Sequence, residues 1–167
     1  MPPAPPGGTP IGWVDLPGGG RLGLGAFPDL ERLKRLREQG VTAVVTLVGE
    51  REMAMLGMPD LGRRVRSLGM VWEHLPIGDF ATPDTPFEAG WAKAAPGLRA
   101  ALSGGGKVFV HCRMGLGRTG TVGARLLVEL GMAPDAAIDA VRAARPGAVE
   151  TEAQENHVRD IRPARTE

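Results

Sequence analysis

The chain has 167 residues and a single cysteine, and its 20 lysines and arginines nearly balance its 19 aspartates and glutamates. This length suits one domain with one core, and the formal net charge of +1 excludes a general attraction to nucleic acid or to acidic membranes. No apolar run approaches the roughly 20 residues that a membrane-spanning helix needs. One cysteine excludes an internal disulfide and fits a reducing compartment. We therefore expect a cytoplasmic monomer.

The two ends of the chain are predicted to be tails. Residues 1–10 are rich in proline and glycine, a composition unsuited to a helix or to a ladder of strand hydrogen bonds, so we predict a flexible segment there. Residues 163–167 are predicted as a short second tail. A single domain is expected to span residues 11–162.

Within that domain, short apolar runs alternate with amphipathic segments. Strands are predicted at Ile11–Leu16 and Arg21–Leu24, as two edge strands joined by a turn, and at Val41–Val48, Met70–Ile77 and Lys107–His111. Helices are predicted at Asp29–Gly40, Asp60–Leu68, Pro86–Leu102, Arg118–Leu130, Pro134–Ala144 and Thr151–Ile161. Pro96 is expected to kink or divide its helix. The alternation predicts a single α/β domain with a central, mostly parallel sheet flanked by helices.

The segment after the strand Lys107–His111 carries the most informative residues. The strand leads into a glycine-bearing loop, and a helix follows at once. Ligands of parallel sheets bind beyond the carboxyl ends of the strands, where a helix N-terminus offers unpaired N–H groups to an anion. Five residues separate Cys112 from Arg118, and Gly115 and Gly117 lie between them. Such a loop is short enough to surround one tetrahedral phosphate.

Three side chains of this segment suit phosphate chemistry. The amides that hold a phosphate also stabilise a thiolate, so Cys112 is the candidate nucleophile. The planar guanidinium of Arg118 can donate to two phosphate oxygens at once, which a lysine cannot do as well. The hydroxyl of Thr119 could donate to the sulfur and help it to leave a phosphoenzyme.

This pattern of His111, Cys112, five residues, Arg118 and Thr119 resembles the signature of the cysteine-dependent protein phosphatases of the dual-specificity type. The resemblance implies a phosphatase that forms a cysteinyl phosphate and uses neither a metal ion nor an organic cofactor. It gives His111 a supporting role, orienting the loop from behind. It assigns substrate binding to the loop residues Arg113, Met114, Gly115, Leu116, Gly117 and Arg118.

A general acid is needed to protonate the leaving oxygen. Asp79 follows the strand Met70–Ile77 in a loop bounded by glycine and proline, a kind of segment that can close over a substrate. The loop is similar to the acid-bearing loop of the dual-specificity phosphatases, so Asp79 is the predicted acid and Asp84 is the second candidate. Without the resemblance, Asp79 is a turn aspartate.

The C-terminal part, residues 136–156, looks like the corresponding end of the kinase-associated phosphatases, the cyclin-dependent-kinase-inhibitor-3-like group. A glutamine occurs there at the position of Gln154, so the resemblance suggests that Gln154 positions the hydrolytic water. The alternative is a polar residue that caps or decorates a surface helix. The resemblance extends roughly from residue 22 to residue 161.

The expected function is hydrolysis of phosphotyrosine and/or phosphoserine and phosphothreonine in a protein substrate. One alternative is a tensin-type phosphoinositide phosphatase, but those enzymes carry lysines on both sides of the first loop glycine. This chain has Arg113 on one side and the apolar Leu116 on the other. A rhodanese-like sulfur transferase would need neither Asp79 nor Thr119. A non-catalytic module that recognises phosphorylated partners is a further alternative.

Overall fold

A five-stranded sheet forms the centre of the computed structural model, which describes residues 9–164. The strands are β1 (Gly12–Asp15), β2 (Arg21–Gly25), β3 (Val41–Thr46), β4 (Val71–His74) and β5 (Lys107–His111). The helices are α1 (Leu30–Glu38), α2 (Glu50–Met55), α3 (Leu61–Ser67), α4 (Thr85–Ser103), α5 (Gly117–Glu129), α6 (Pro134–Ala144) and α7 (Glu152–Arg159). The strand order is β1-β2-β5-β3-β4, with β1 antiparallel to β2 and the other pairs parallel. The predicted fold class is confirmed.

The first two strands differ from the prediction in one respect. The N–H of Leu16 donates to the carbonyl of Gly20 at 2.8 Å and closes the predicted turn between them. The prediction that both are edge strands is wrong for β2, which pairs with β1 on one side and with β5 on the other. Leu22 and Leu24 are fully buried, and aromatic rings from neighbouring strands pack directly on Gly23 and Gly25. Because glycine has no side chain, Gly23 and Gly25 do not appear as apolar positions in the sequence. The apolar pattern of β2 therefore shows only one of its two buried faces.

Strand β5 lies in the middle of the sheet, between β2 and β3. Its residues 108–111 are fully buried, as expected for a strand covered on both faces. In the register of the sheet, His111 lies beside Gly25 and Thr46, which end β2 and β3. Three strands therefore end together at one edge, and the glycine-bearing loop begins at that edge.

Helix α1 follows its predicted limits, whereas α2 was not predicted. The Asp29 carboxylate accepts the N–H of Arg32 at 2.7 Å, and Gly40, with a φ of 92°, ends the helical segment. Helix α2 has six residues, no side-chain cap and a single buried residue, Met53. So short a helix contains too few turns for a recognisable apolar period.

Helix α4 runs without interruption from Thr85 to Ser103 with Pro96 inside it, so the expected division of this helix is wrong. Proline removes one N–H from the helical ladder and leaves the carbonyl of Ala92 without its usual partner. Trp91 and Leu98 are buried on either side of Pro96 and fix both halves of the helix to the core. Across residues 9–164, no helix has the length and apolar character to cross a membrane.

Helix α5 is the central helix, because all of its residues from Gly117 to Glu129 are buried. It contacts β2, β5, α4, α6 and α7. Arg125 of this helix forms ion pairs with Glu88 of α4 at 2.6 Å and with Glu129 at 2.8 Å. The first of these ion pairs joins α5 to α4.

The predicted tails are partly outside the described residues. Residues 1–8 and 165–167 lie beyond them, so the flexibility predicted for those positions stays a prediction. The carbonyl of Thr9 accepts a hydrogen bond from Arg32 at 2.6 Å, and that of Pro10 accepts one from Arg145 at 2.8 Å. The N–H of Ala164 donates to the carbonyl of Glu129 at 2.9 Å. The described ends of the chain are therefore bonded to the domain.

Candidate active site

The loop from Cys112 to Leu116 joins β5 to α5 and surrounds the sulfur of Cys112. This side chain is 3% exposed, and the N–H of Gly115 donates to its sulfur at 3.3 Å. Gly115 has a φ of 76°, and a Cβ there would collide with the backbone of Gly25 and Ala26. The loop therefore needs glycine at this position, and its strand-loop-helix order agrees with the prediction.

A small cavity of about 60 Å³ opens beside this loop. It is lined by Asp79, Phe80, Cys112, Arg113, Met114, Leu116, Arg118 and Glu150. It thus brings together the predicted nucleophile, the predicted arginine, the predicted acid and three of the predicted loop residues. A larger cleft of about 580 Å³ between α4, α5 and the C-terminal segment contains none of the predicted site residues. The chemistry-bearing side chains converge on the smaller cavity.

Arg118 is 2% exposed and is held by Glu52 of α2. Nη1 donates to Oε1 of Glu52 at 2.8 Å, and Nη2 donates to Oε2 at 3.1 Å. Nη1 also donates to the carbonyl of Ile77 at 3.1 Å. Within residues 9–164 no acceptor meets Nε, so Nε and the outer N–H of Nη2 are the donors that can face two phosphate oxygens.

The charge of Arg118 is secured by the same contacts. Burial acts to lower the pKa of the guanidinium, but its hydrogen bonds to Glu52 and the nearby charges of Cys112 and Asp79 outweigh burial. The net effect raises the pKa of Arg118 above its ordinary value. Arg118 therefore remains a full positive charge beside the sulfur.

Asp79 lies at the mouth of the cavity in a tight turn, where the N–H of Ala81 donates to the carbonyl of Gly78 at 2.9 Å. Its carboxylate is 3.5 Å from Nη2 of Arg118, and its side chain is 53% exposed. The next residue, Phe80, is a non-glycine residue at a φ of 60° and is itself exposed. This places a solvent-accessible carboxyl next to the guanidinium of Arg118.

The second acid candidate, Asp84, has a different position. It is the N-cap of α4, where its carboxylate accepts the N–H of Phe87 at 2.9 Å, and it does not line the cavity. The structure therefore brings Asp79 to the cavity that Cys112 lines and leaves Asp84 with a helix-capping contact.

His111 lies behind the loop, fully buried. Its Nδ1 is 3.0 Å from the carbonyl of Cys112, and its Nε2 is 2.7 Å from Oγ1 of Thr46. A carbonyl only accepts, so Nδ1 carries the proton and Nε2 accepts from Thr46, whose oxygen accepts from Trp72 at 2.8 Å. Burial, together with the positive charge of Arg118, lowers the pKa of His111 to about 4. The ring is neutral near pH 7 and suits the predicted supporting role rather than that of a base.

Two of the predicted site residues have other surroundings than expected. The hydroxyl of Thr119 is buried without a hydrogen-bond partner in the described chain, so the predicted bond to the sulfur is not formed in this structure. The amide of Gln154 has three partners: Oε1 accepts from Glu150 and Thr151 at 2.9 and 3.1 Å, and Nε2 donates to the carbonyl of Ala81 at 3.2 Å. Gln154 does not line the cavity, and its place in the capping box of α7 supports the alternative interpretation as a helix cap.

Three residues of the site were missed by the sequence analysis: Glu52, Arg145 and Glu150. Arg145 lies on the outer side of the loop, where Nη2 donates to the carbonyl of Met114 at 2.8 Å and Nε to that of Gly115 at 3.3 Å. Burial lowers the pKa of Arg145, partly offset by the negative charge of Cys112. None of the three stands next to the signature in the sequence, so no local signal points to them.

Among the described residues, His, Cys, Asp and Glu side chains form no group of three or more that could hold a metal ion.

Comparison with known proteins agrees with this geometry. A family model described as "Polymorphic toxin system, DSP-PTPase phosphatase" matches residues 22–132. Cyclin-dependent kinase inhibitor 3 from Rattus norvegicus is 32% identical over 154 residues, covering 84% of this chain and 71% of the relative. The same protein from Homo sapiens is 30% identical over the same shares.

Solved structures agree as well. Kinase associated phosphatase, with its catalytic-site cysteine replaced by serine, superposes with a TM-score of 0.78 at 28% identity, covering 90% of this chain and 93% of that one. Tk-PTP in its active form gives a TM-score of 0.73 at 29% identity, covering 90% and 95%. The chain belongs to the dual-specificity type of the cysteine-dependent protein phosphatases.

Proposed function

We propose that Cys112 is the nucleophile with which this protein phosphatase hydrolyses phosphotyrosine and/or phosphoserine and phosphothreonine. The observation that carries the proposal is the Gly115 N–H on the sulfur of Cys112, in a cavity shared with Arg118 at the N-terminus of α5. A donor, a guanidinium and the positive end of a helix all stabilise a thiolate there. The relative whose catalytic-site cysteine was replaced by serine supports the same assignment.

In the first step the thiolate attacks phosphorus, a sulfur–phosphorus bond forms, and the bond from phosphorus to the ester oxygen breaks. Arg118 contacts two of the phosphate oxygens as charge moves onto them. The carboxyl proton of Asp79 goes to the leaving oxygen, which departs as a neutral alcohol or phenol. The 3.5 Å between Asp79 and Arg118 supports this assignment, because it puts the proton donor at the edge of the bound phosphate.

In the second step a water attacks phosphorus, the sulfur–phosphorus bond breaks, and the Cys112 thiolate is restored. The carboxylate of Asp79 takes a proton from this water, which returns the acid to its starting state.

Because the reaction needs a reduced lone cysteine, a reducing compartment such as the cytoplasm suits the enzyme. The exposed Phe80 and Met114 at the cavity suit a phosphorylated protein side chain, which brings apolar atoms with it.

Two variants test the roles proposed for Cys112 as the nucleophile and Asp79 as the general acid. We expect Cys112→Ser to abolish turnover while retaining binding of a phosphopeptide. We expect Asp79→Asn to lower kcat by about 100-fold or more on an alkyl phosphate and far less on p-nitrophenyl phosphate, whose leaving group needs no proton. Asp84→Asn is the matched control and should leave that ratio unchanged. Phosphatase turnover by Cys112→Ser, or equal losses on both esters for Asp79→Asn, would refute the corresponding role.

A further inference from the structure

Glu150 brings a second carboxylate to the phosphate cavity, in addition to Asp79. It lines the cavity together with Cys112 and Arg118. Its Oε1 lies against Gly117, the first residue of α5, so closely that a Cβ on Gly117 would collide with it. The absence of a side chain at Gly117 therefore makes the room that this carboxylate occupies.

The backbone around Glu150 is firmly held. Val149 has a φ of 60°, a strained value for a β-branched residue that persists only where the surroundings impose it. Its N–H donates to the carbonyl of Leu116 at 3.2 Å, and its carbonyl accepts from Arg142 at 2.9 Å. The N–H of Glu150 itself donates to Gln154 at 2.9 Å. The backbone that carries Glu150 is thus set by the fold, and the exposed side chain extends from it to the edge of the cavity.

The charge of this carboxylate is not compensated by the protein. Across the described part of the chain, the Glu150 carboxylate takes part in no hydrogen bond or ion pair, whereas Asp79 lies 3.5 Å from Arg118. Arg113 lines the same cavity but forms no ion pair with Glu150 in those residues. The mouth of the cavity is therefore polarised, with free positive charge at Arg113 and free negative charge at Glu150.

An anion site with a carboxylate at its edge opposes the binding of a phosphate dianion. The opposition is relieved when the substrate itself carries a positive charge next to the phosphoester. We infer that Glu150 is a specificity-determining residue that selects phosphorylated side chains neighboured by lysine or arginine. The inference rests on the proposed function and names the substrate class within it.

The test compares kcat/KM for phosphotyrosine, phosphoserine and phosphothreonine peptides that carry lysine, an uncharged residue or glutamate at each flanking position in turn. The wild type is expected to favour lysine by about three- to fivefold at the most sensitive position, the size of an exposed ion pair, and less at high salt. Glu150→Gln should remove this preference and lower the KM for p-nitrophenyl phosphate, which carries no cation. Glu150→Lys should reverse the preference toward glutamate. Glu152→Gln, an exposed carboxylate outside the cavity, is the matched control and should behave as wild type.

The possible results distinguish a failure of the inference about Glu150 from a failure of the proposed function. Equal hydrolysis of all peptides by the wild type, or a lysine preference that survives in Glu150→Gln, overturns the inference and leaves the proposed function standing. Failure to hydrolyse every peptide, with p-nitrophenyl phosphate still turned over, overturns the protein-side-chain substrate and this inference together.

Discussion

At the scale of single residues, the arginine proposed to bind phosphate, Arg118, is held by a partner far away in the chain. Glu52 contacts both terminal nitrogens of Arg118 from 66 residues upstream. The pair leaves Nε and one outer N–H of the guanidinium for the substrate.

We predict that Glu52→Gln lowers kcat/KM for p-nitrophenyl phosphate by about tenfold or more, because Arg118 loses its ionic, bidentate partner and its orientation. Steady-state kinetics measure the effect. Glu50→Gln changes an exposed carboxylate of the same helix and is expected to keep the wild-type rate. Equal rates for the wild type and Glu52→Gln would show that the loop alone orients Arg118.

The sequence indicated some residues of this site and not others for a physical reason. Cys112 and Arg118 lie in one loop whose spacing is dictated by the size of a phosphate, so the pattern is local and readable. Glu52 and Glu150 reach the cavity only through tertiary packing. Gln154 was predicted from a resemblance, but its amide is engaged by the cap of α7 and by the carbonyl of Ala81.

At the scale of elements, the phosphate loop is braced from outside. Arg145, at the end of α6, donates to the carbonyls of Met114 and Gly115 and also to that of Pro10. Carbonyls that point outward to a cation leave the loop amides free to point toward the sulfur. One side chain therefore joins α6, the catalytic loop and the segment before β1.

We predict that Arg145→Met weakens competitive inhibition by inorganic phosphate about tenfold, the equivalent of one charged hydrogen bond. Methionine retains apolar packing but cannot donate, so the loop loses its brace. Inhibition of p-nitrophenyl phosphate hydrolysis measures the change, and Arg37→Met, an exposed arginine of α1, serves as the control. An unchanged inhibition constant in Arg145→Met would mean that the loop holds its shape without this residue.

The helices were predicted where their apolar pattern extends over enough residues to be recognised in the sequence. The helices α1, α5, α6 and α7 span two or more turns with a clear apolar face or cap, and their predicted limits are close to those observed. Helix α2 is too short for a period, and the interior position of β2 depends on pairing with β5, about 85 residues later in the chain. Pro96 does not divide α4 because buried residues on both sides hold the helix against the core.

At the scale of the whole molecule, the catalytic loop and the sheet share one buried hydrogen-bond chain. Trp72 of β4 donates to Thr46 of β3, which contacts His111 of β5, whose other nitrogen contacts the carbonyl of Cys112. Burial of the His111 ring lowers its pKa from 6.5 to about 4. Folding therefore requires the neutral imidazole across that interval of pH.

This shift predicts a pH dependence of stability. Between pH 6.5 and about 4 the unfolded chain binds a proton at this histidine and the folded chain does not. Stability is therefore lost as pH falls through this window, by at most about 1 kcal/mol per pH unit from this group. The lowered pKa of Glu88, bonded to Arg125, adds a further loss at lower pH.

Urea unfolding at pH 7, 6 and 5 measures the effect of His111. We expect the free energy of unfolding to fall with pH in the wild type and to fall less steeply in His111→Asn, which keeps a donor toward the loop. Parallel pH dependences for the two proteins would contradict the buried, neutral imidazole.

The central claim is that the Cys112 sulfur is the nucleophile of the hydrolysis, and alkylation by iodoacetamide tests it most directly because the chain has one thiol. The account predicts that one alkylation per chain, followed by intact mass, abolishes the hydrolysis of p-nitrophenyl phosphate in step, and that inorganic phosphate slows both changes. Hydrolysis that survives complete alkylation of Cys112, or an alkylation rate that inorganic phosphate leaves unchanged, would contradict it.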